Sequence, residues 1–130
     1  MSENADLVRA MIDAFSRRDL EAVLALCDPA AEFEVEEMPE LERFSGLDGL
    51  KEFLLLNWEP FESFGTEIDR LIEIEPDRVA FLSRVWARGK GSGVEVAQER
   101  GGIVTIRDGL VVRGRFFVNQ ANTLKAAGLG

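Results

Sequence analysis

Two neighbouring residues of opposite charge, Glu99 and Arg100, stand beside Gly101-Gly102 in the second half of the chain. An arginine turned into an apolar pocket holds a carboxylate or phenolate through two parallel N–H bonds. A carboxylate in the same place has its pKa raised by burial and can serve as a general base. Successive strand residues face opposite ways, so one of the pair enters a pocket and the other meets solvent. The glycine pair leaves both registers open, because a bulge or one-residue slip exchanges the faces. In one register Gln98 and Arg100 bind a ligand. In the other Glu99 enters, and it is the candidate catalytic carboxylate, with Asp69 a further one. Turned outward, Glu99 has Arg84, Arg88, Arg113 and Arg115 as cross-strand ion-pair partners.

Other chemistries are excluded by what the chain lacks. It contains no histidine, no tyrosine and a single cysteine, Cys27. Ser-His-Asp and Cys-His nucleophilic sites are therefore ruled out, as are ordinary zinc sites. Any acid–base work falls to Asp, Glu or Lys in a perturbing environment. The acidic stretch Glu32, Glu34, Glu36, Glu37, Glu40 and Glu42 lacks the compact glycine-bearing loop that calcium requires, and reads as a solvated face. No metal and no cofactor is expected. A net charge of −9, from 24 acidic and 15 basic residues, argues against nucleic acid and anionic membranes as partners. No apolar run is long enough to span a bilayer. The start has no basic-then-apolar leader pattern, and Cys27 lacks an internal disulfide partner. A cytoplasmic protein is the expectation, with Cys27 a small buried hydrophobe.

The elements that must position these groups follow from periodicity. Leu7, Val8, Met11, Ile12 and Phe15 recur with helical spacing, and Asp19 caps a second short helix that Pro29 ends. Residues 31–36 alternate as a short strand, and an exposed loop containing Pro39 runs to Ser45. Leu50, Phe53, Leu54 and Trp58 mark a third helix, closed by Pro60. Segments 66–75, 78–89, 94–107 and 110–118 are rich in β-branched and aromatic residues, and turn sequences separate them. Those turns are Glu75-Pro76-Asp77, the glycine-rich 89–93, and Asp108-Gly109, a two-residue hairpin signal. Four hairpin-linked strands make an antiparallel meander that must bury one face on the helices. The whole of 1–130 reads as a single α+β domain.

The stretches AFSRRDLEAVLALCDPAAEFE, FSGLDGLKEFL and TIRDGLVVRGRFFVNQANTLKAAGL, in this order, resemble the SnoaL-like branch of the nuclear transport factor 2 superfamily. The resemblance spans the whole chain and implies a cone-shaped half-barrel: a curved antiparallel sheet packed on three N-terminal helices around a central pocket. It also implies a homodimer through the convex sheet face. Alternation on 78–89 fits, with Phe81, Ser83, Val85 and Ala87 on one side and Arg84, Trp86 and Arg88 on the other. Arg84, Trp86, Arg88, Arg113 and Arg115 are the expected interface, being residue types enriched in interfaces.

Carried over residue by residue, the steroid-isomerase branch would have its tyrosine at Met11, its basic aspartate at Val35 and its second acid near Gly102. The polyketide-cyclase branch would have an aspartate at Asn119, which can orient a carbonyl but cannot take a proton. The expected ligand-binding residues are Phe15, Phe33, Trp58, Phe81, Ser83, Gln98, Arg100, Phe116 and Asn119, with Trp58 and Phe61 at the rim. Phe53 is shared between core and lining. The expected function is binding of a small, largely apolar organic molecule. Steroid isomerisation is excluded by Met11, Val35 and Gly102. A pocket carboxylate would instead indicate a lyase, isomerase, cyclase or epoxide hydrolase, and a collapsed pocket a dimerisation module.

Overall fold

A computed structural model of the chain describes residues 2–37 and 40–129. Helix α1 spans Glu3–Ser16, with Ser2 as its cap: the Ser2 hydroxyl accepts from the Ala5 N–H at 3.1 Å. Asp19 caps α2, Leu20–Ala25, by accepting from Ala22 N–H at 3.1 Å. Helix α3, Gly46–Trp58, opens on Gly46 at a φ of +70°, which a residue with a Cβ resists. The strands are β1 Cys27–Glu37, β2 Glu40–Ser45, β3 Phe61–Glu75, β4 Arg78–Gly89, β5 Glu95–Arg107 and β6 Leu110–Phe117. A fourth helix, α4, spans Gln120–Ala126.

The six strands form a curved, unclosed sheet in the order β2-β1-β6-β5-β4-β3. The β3-β4-β5-β6 meander is antiparallel throughout. Asp108 at φ +53° and Gly109 at φ +75° make the tight turn that the Asp-Gly pair predicts. Three sequence expectations need correction. The segment read as a loop up to Ser45 contains β2, paired with β1 through Phe33↔Phe44; Pro39 lies outside the described residues. β1 begins at Cys27, so Pro29 lies in a strand instead of ending a helix. β1 also joins β6 in parallel, Val35 against Phe116, so the sheet is antiparallel everywhere except at that one pair.

Alternation along the strands divides the buried residues between two faces. Val79, Phe81, Val104 and Ile106 face α1, α2 and α3 and share a core with Val8, Ile12, Val23, Leu50 and Leu54. Ala80, Ile103 and Phe117 face the opposite, convex side, where Ala126 and Ala127 at the end of α4 cover them. The sequence reading leaves α4 as a tail. It docks closely because Gly101 has no side chain: a Cβ there would stand 2.1 Å from the Thr123 hydroxyl. No described helix is long and apolar enough to cross a membrane.

Candidate functional site

Between the concave sheet face and the three N-terminal helices lies a cavity of about 400 Å³. Its wall is mostly apolar. Phe33, Phe53, Phe81 and Phe116 form one ring cluster, with Phe53 stacked on Phe116 at 5.4 Å between centroids. Phe15, Phe61 and Phe64 form another, with Phe15 edge-on to Phe64 at 5.0 Å. Exposed Leu56 and Pro60 and half-buried Val96 extend the apolar lining. A site of this size and composition suits a small, flat, largely apolar molecule.

Strand register places the polar groups. Ser83 pairs with Arg100, and Val85 pairs with Gln98, so Ser83, Val85, Gln98 and Arg100 share the concave face of β4 and β5. Ser83 is 1 % exposed. The Arg100 guanidinium donates to the carbonyl oxygens of Glu99 at 2.7 Å and Val118 at 3.2 Å, and to the Gln98 side-chain oxygen. With that oxygen occupied, the Gln98 amide presents N–H donors. The polar part of this wall is therefore rich in donors and suits a carbonyl or anionic oxygen.

The same register decides the Glu99 question. Glu99 stands opposite Arg84 and exposed, and its carboxylate accepts from the Gln120 backbone N–H at 3.2 Å, at the start of α4 on the convex side. Glu99 thus lies outside the cavity. Asp69 lies outside it too, accepting from Gln120 at 2.8 Å and from Arg84 at 2.9 Å. The Gln120 hydrogen bond holds the Asp69 carboxyl below its usual range; desolvation opposes it, and Arg84 adds to the lowering.

Phe15, Phe33, Phe81, Ser83, Gln98, Arg100 and Phe116 all line the cavity. Two expected site residues do not. Trp58 is 5 % exposed and packs in the core against Phe15 at 5.8 Å, leaving Pro60 and Phe61 at the lining. Asn119 caps α4 instead, its side-chain oxygen accepting from Asn122 N–H at 2.7 Å. Met11 and Val35 are lining residues that carry no proton.

Three polar lining residues were not anticipated. Asn57 lies on the α3 stripe of Leu50, Phe53 and Leu54, where a polar residue at i+7 is a readable signal. Thr66 sits between Phe64 and Ile68 on the inward period of β3. Glu36, near the end of β1, borders the cavity and also a second hollow beside Glu34, Arg115 and Lys125, and nothing in its sequence context separates it from its exposed acidic neighbours. Cys27 is a buried lining thiol whose pKa desolvation pushes up to about 12, so it is held as an inert thiol. Among the described residues no group of three or more Cys, Asp or Glu is placed to hold a metal.

On the convex face Arg84 pairs with Asp69, Arg88 with Glu62 and Glu95, and Arg113 and Arg115 with Glu34. Arg115 also lies over the Phe117 ring at 5.4 Å. Trp86 is 50 % exposed and its indole covers Gly65, where a Cβ would stand 2.3 Å from the ring.

A family model for the SnoaL-like domain matches residues 8–114. The chain belongs to the SnoaL-like family. No curated protein matches it. Solved structures show the same fold at low identity. TerC, co-crystallised with polyporic acid, is 21 % identical with a TM-score of 0.78, over 98 % of this chain and 99 % of that one. A protein from Jannaschia sp. named a SnoaL-like polyketide cyclase is 17 % identical with a TM-score of 0.79, over 98 % and 93 %. An epoxide hydrolase of the LEH-like type from M. tuberculosis is 17 % identical with a TM-score of 0.72, over 98 % and 91 %. At these identities the likeness carries the fold, and function must be argued from the cavity.

Proposed function

We propose that this SnoaL-like chain, acting as one domain over 1–130, binds a small, flat, largely apolar organic molecule bearing a carbonyl or anionic oxygen. One observation carries the reading: Ser83, Gln98 and Arg100 occupy adjacent registered positions in the wall of an otherwise apolar cavity. The phenylalanines of the lining supply the apolar contact area, and the guanidinium supplies a charge-assisted anchor that selects for oxygen at one edge. Co-crystallisation of TerC with polyporic acid supports a small organic ligand for the fold. An open cavity speaks against a vestigial one. Further parts of the proposal are a homodimer joined through the convex face around Trp86, no nucleic-acid or membrane partner, and a cytoplasmic location, where Cys27 stays reduced.

The test is calorimetric titration of the full chain with 2-naphthoate. Binding is expected, and Arg100→Gln is expected to weaken it by about tenfold or more, since hydrogen bonds to charged groups are the stronger class. No binding, or equal binding by the variant, would remove Arg100 as the anchor.

A second reading is favoured by Glu36, which borders the cavity at the end of β1 and also a hollow beside Glu34, Arg115 and Lys125; it requires the carboxylate to turn inward from the Glu34 face of the strand. It would make the protein an enzyme of the lyase, isomerase, cyclase or epoxide-hydrolase type, with Glu36 in the role first sought in Glu99 or Asp69. Turnover of an epoxide or an enolisable ketone that Glu36→Gln abolishes is the result that would establish it.

A further inference from the structure

Three buried polar side-chain atoms among the described residues have no hydrogen-bond partner: Arg18 Nη2, Trp58 Nε1 and Thr66 Oγ1. Only Thr66 belongs to a residue of the cavity wall. Its carbonyl oxygen is used by the Ser16 hydroxyl at 3.4 Å, whereas its own hydroxyl is left with nothing. Phe64 and Ile68, its neighbours on the same face of β3, are both apolar and pack with the core. A valine has nearly the same shape and would fill that place without a stranded polar atom. An unsatisfied buried hydroxyl forfeits its hydration and gains nothing back, so a polar partner entering the cavity beside it is favoured.

Register fixes where Thr66 stands relative to the anion anchor. Thr66 pairs with Val85, and Val85 pairs with Gln98, so the three share one row across β3, β4 and β5. The Arg100 guanidinium reaches the Gln98 side chain at the far end of that row. Thr66 and Gln98 are two strand spacings apart, about 10 Å, with the apolar Val85 between them. One end of the row is a donor-rich charged anchor; at the other is a threonine whose hydroxyl, buried as it stands, reaches a ligand by rotation about χ1 and can then donate or accept.

We infer that Thr66 is a second polar anchor in the cavity, and that the ligand is a rigid molecule with two oxygen functions. One is an anionic or carbonyl oxygen held by Arg100 and Gln98. The other is a hydroxyl or carbonyl about two fused rings away, which satisfies Thr66. This rests on the proposed binding at Arg100 and adds the length and polarity of the ligand. Thr66 acts as a specificity-determining residue, because a ligand bare at that end leaves the hydroxyl stranded.

The experiment compares 2-naphthoate with 6-hydroxy-2-naphthoate by calorimetric titration of the full chain. The 6-hydroxyl is expected to tighten binding about fivefold, the ordinary scale for one neutral hydrogen bond. Thr66→Val is expected to abolish that preference, and Thr66→Ser to retain it. Equal binding of both compounds to the parent chain would overturn the second anchor alone, as would a hydroxyl preference that survives in Thr66→Val. If neither naphthoate binds, the Arg100 reading fails first and takes this inference with it.

Discussion

Phe81 lies across Gly102, the residues being register partners on β4 and β5, so closely that a Cβ at position 102 would stand 2.6 Å from two atoms of its ring. The Arg115 carbonyl oxygen would be 3.0 Å from the same atom. The ring fills the concave surface where the steroid-isomerase branch would place its second acid. Glycine is thus the condition for this aromatic wall, and an acid could not be restored there without displacing it. Gly102→Ala is expected to destabilise the fold by about 1–3 kcal/mol through overpacking. Urea unfolding measures it, and a change below about 0.5 kcal/mol would mean the ring moves aside freely.

The buried thiol predicts a stability change in alkali. Cys27 is 4 % exposed, and burial raises its pKa from 9.0 to about 12. The folded state therefore keeps the proton after the unfolded chain has lost it. Stability from this group is fully present below pH 9 and declines as pH rises from about 9 to 12, by up to about 1.4 kcal/mol per pH unit. Guanidinium unfolding of the parent and Cys27→Ala between pH 8 and 10.5 isolates it. Parallel pH profiles for the two proteins would contradict a desolvated thiol.

The proposed interface makes a separate claim. Trp86 is half exposed on the convex face, flat over Gly65, with Arg84 and Arg88 already paired to Asp69, Glu62 and Glu95. The arginines are engaged within the chain, which leaves the indole as the apolar group to be covered. A dimer is expected at tens of micromolar, a rough range for modest interfaces, and Trp86→Glu is expected to dissociate it. Light scattering decides; a monomeric parent chain, or a variant that dimerises normally, would remove this face as the interface.

The strands were the most legible part of the chain because their alternation is strong and their turns are chemically explicit. Phe81, Ser83, Val85 and Ala87 fall on the cavity side as their period requires. The choice between Glu99 and Arg100 could not be made from residue types, since both suit either face; the Ser83↔Arg100 pairing makes it. β2 was hidden by its charges, being an edge strand whose outward face is solvated. α4 was hidden by its length: seven residues give too little periodicity, and Asn119 reads equally as a strand-end group and as a helix cap. Trp58 shows a different limit. Periodicity places it on the inner stripe of α3, but only packing against Phe15 shows that it lies behind the lining.

Chemistry is the sharpest remaining prediction. The cavity positions matching the steroid-isomerase base and tyrosine are Val35 and Met11, both lining residues without a titratable group. Asn119, the counterpart of the cyclase aspartate, is committed to capping α4. Glu99 and Asp69 are held on the outside by Gln120 and Arg84. What faces the cavity is an arginine that can polarise an oxygen; Glu36 borders it at the end of β1, shared with the hollow beside Glu34 and Arg115. A general base contributes about 10²–10⁴-fold, so polarisation by Arg100 alone leaves an enolisation barrier largely intact. No conversion of a β,γ-unsaturated to an α,β-unsaturated ketosteroid is therefore expected above the buffer rate. An ultraviolet assay of the conjugated product checks it, with Glu36→Gln as the companion variant. Turnover that persists in Glu36→Gln would mean a base other than the lining carboxylate. Turnover lost in that variant would convert the cavity from a binding site into an active site, with Arg100 as its oxyanion group.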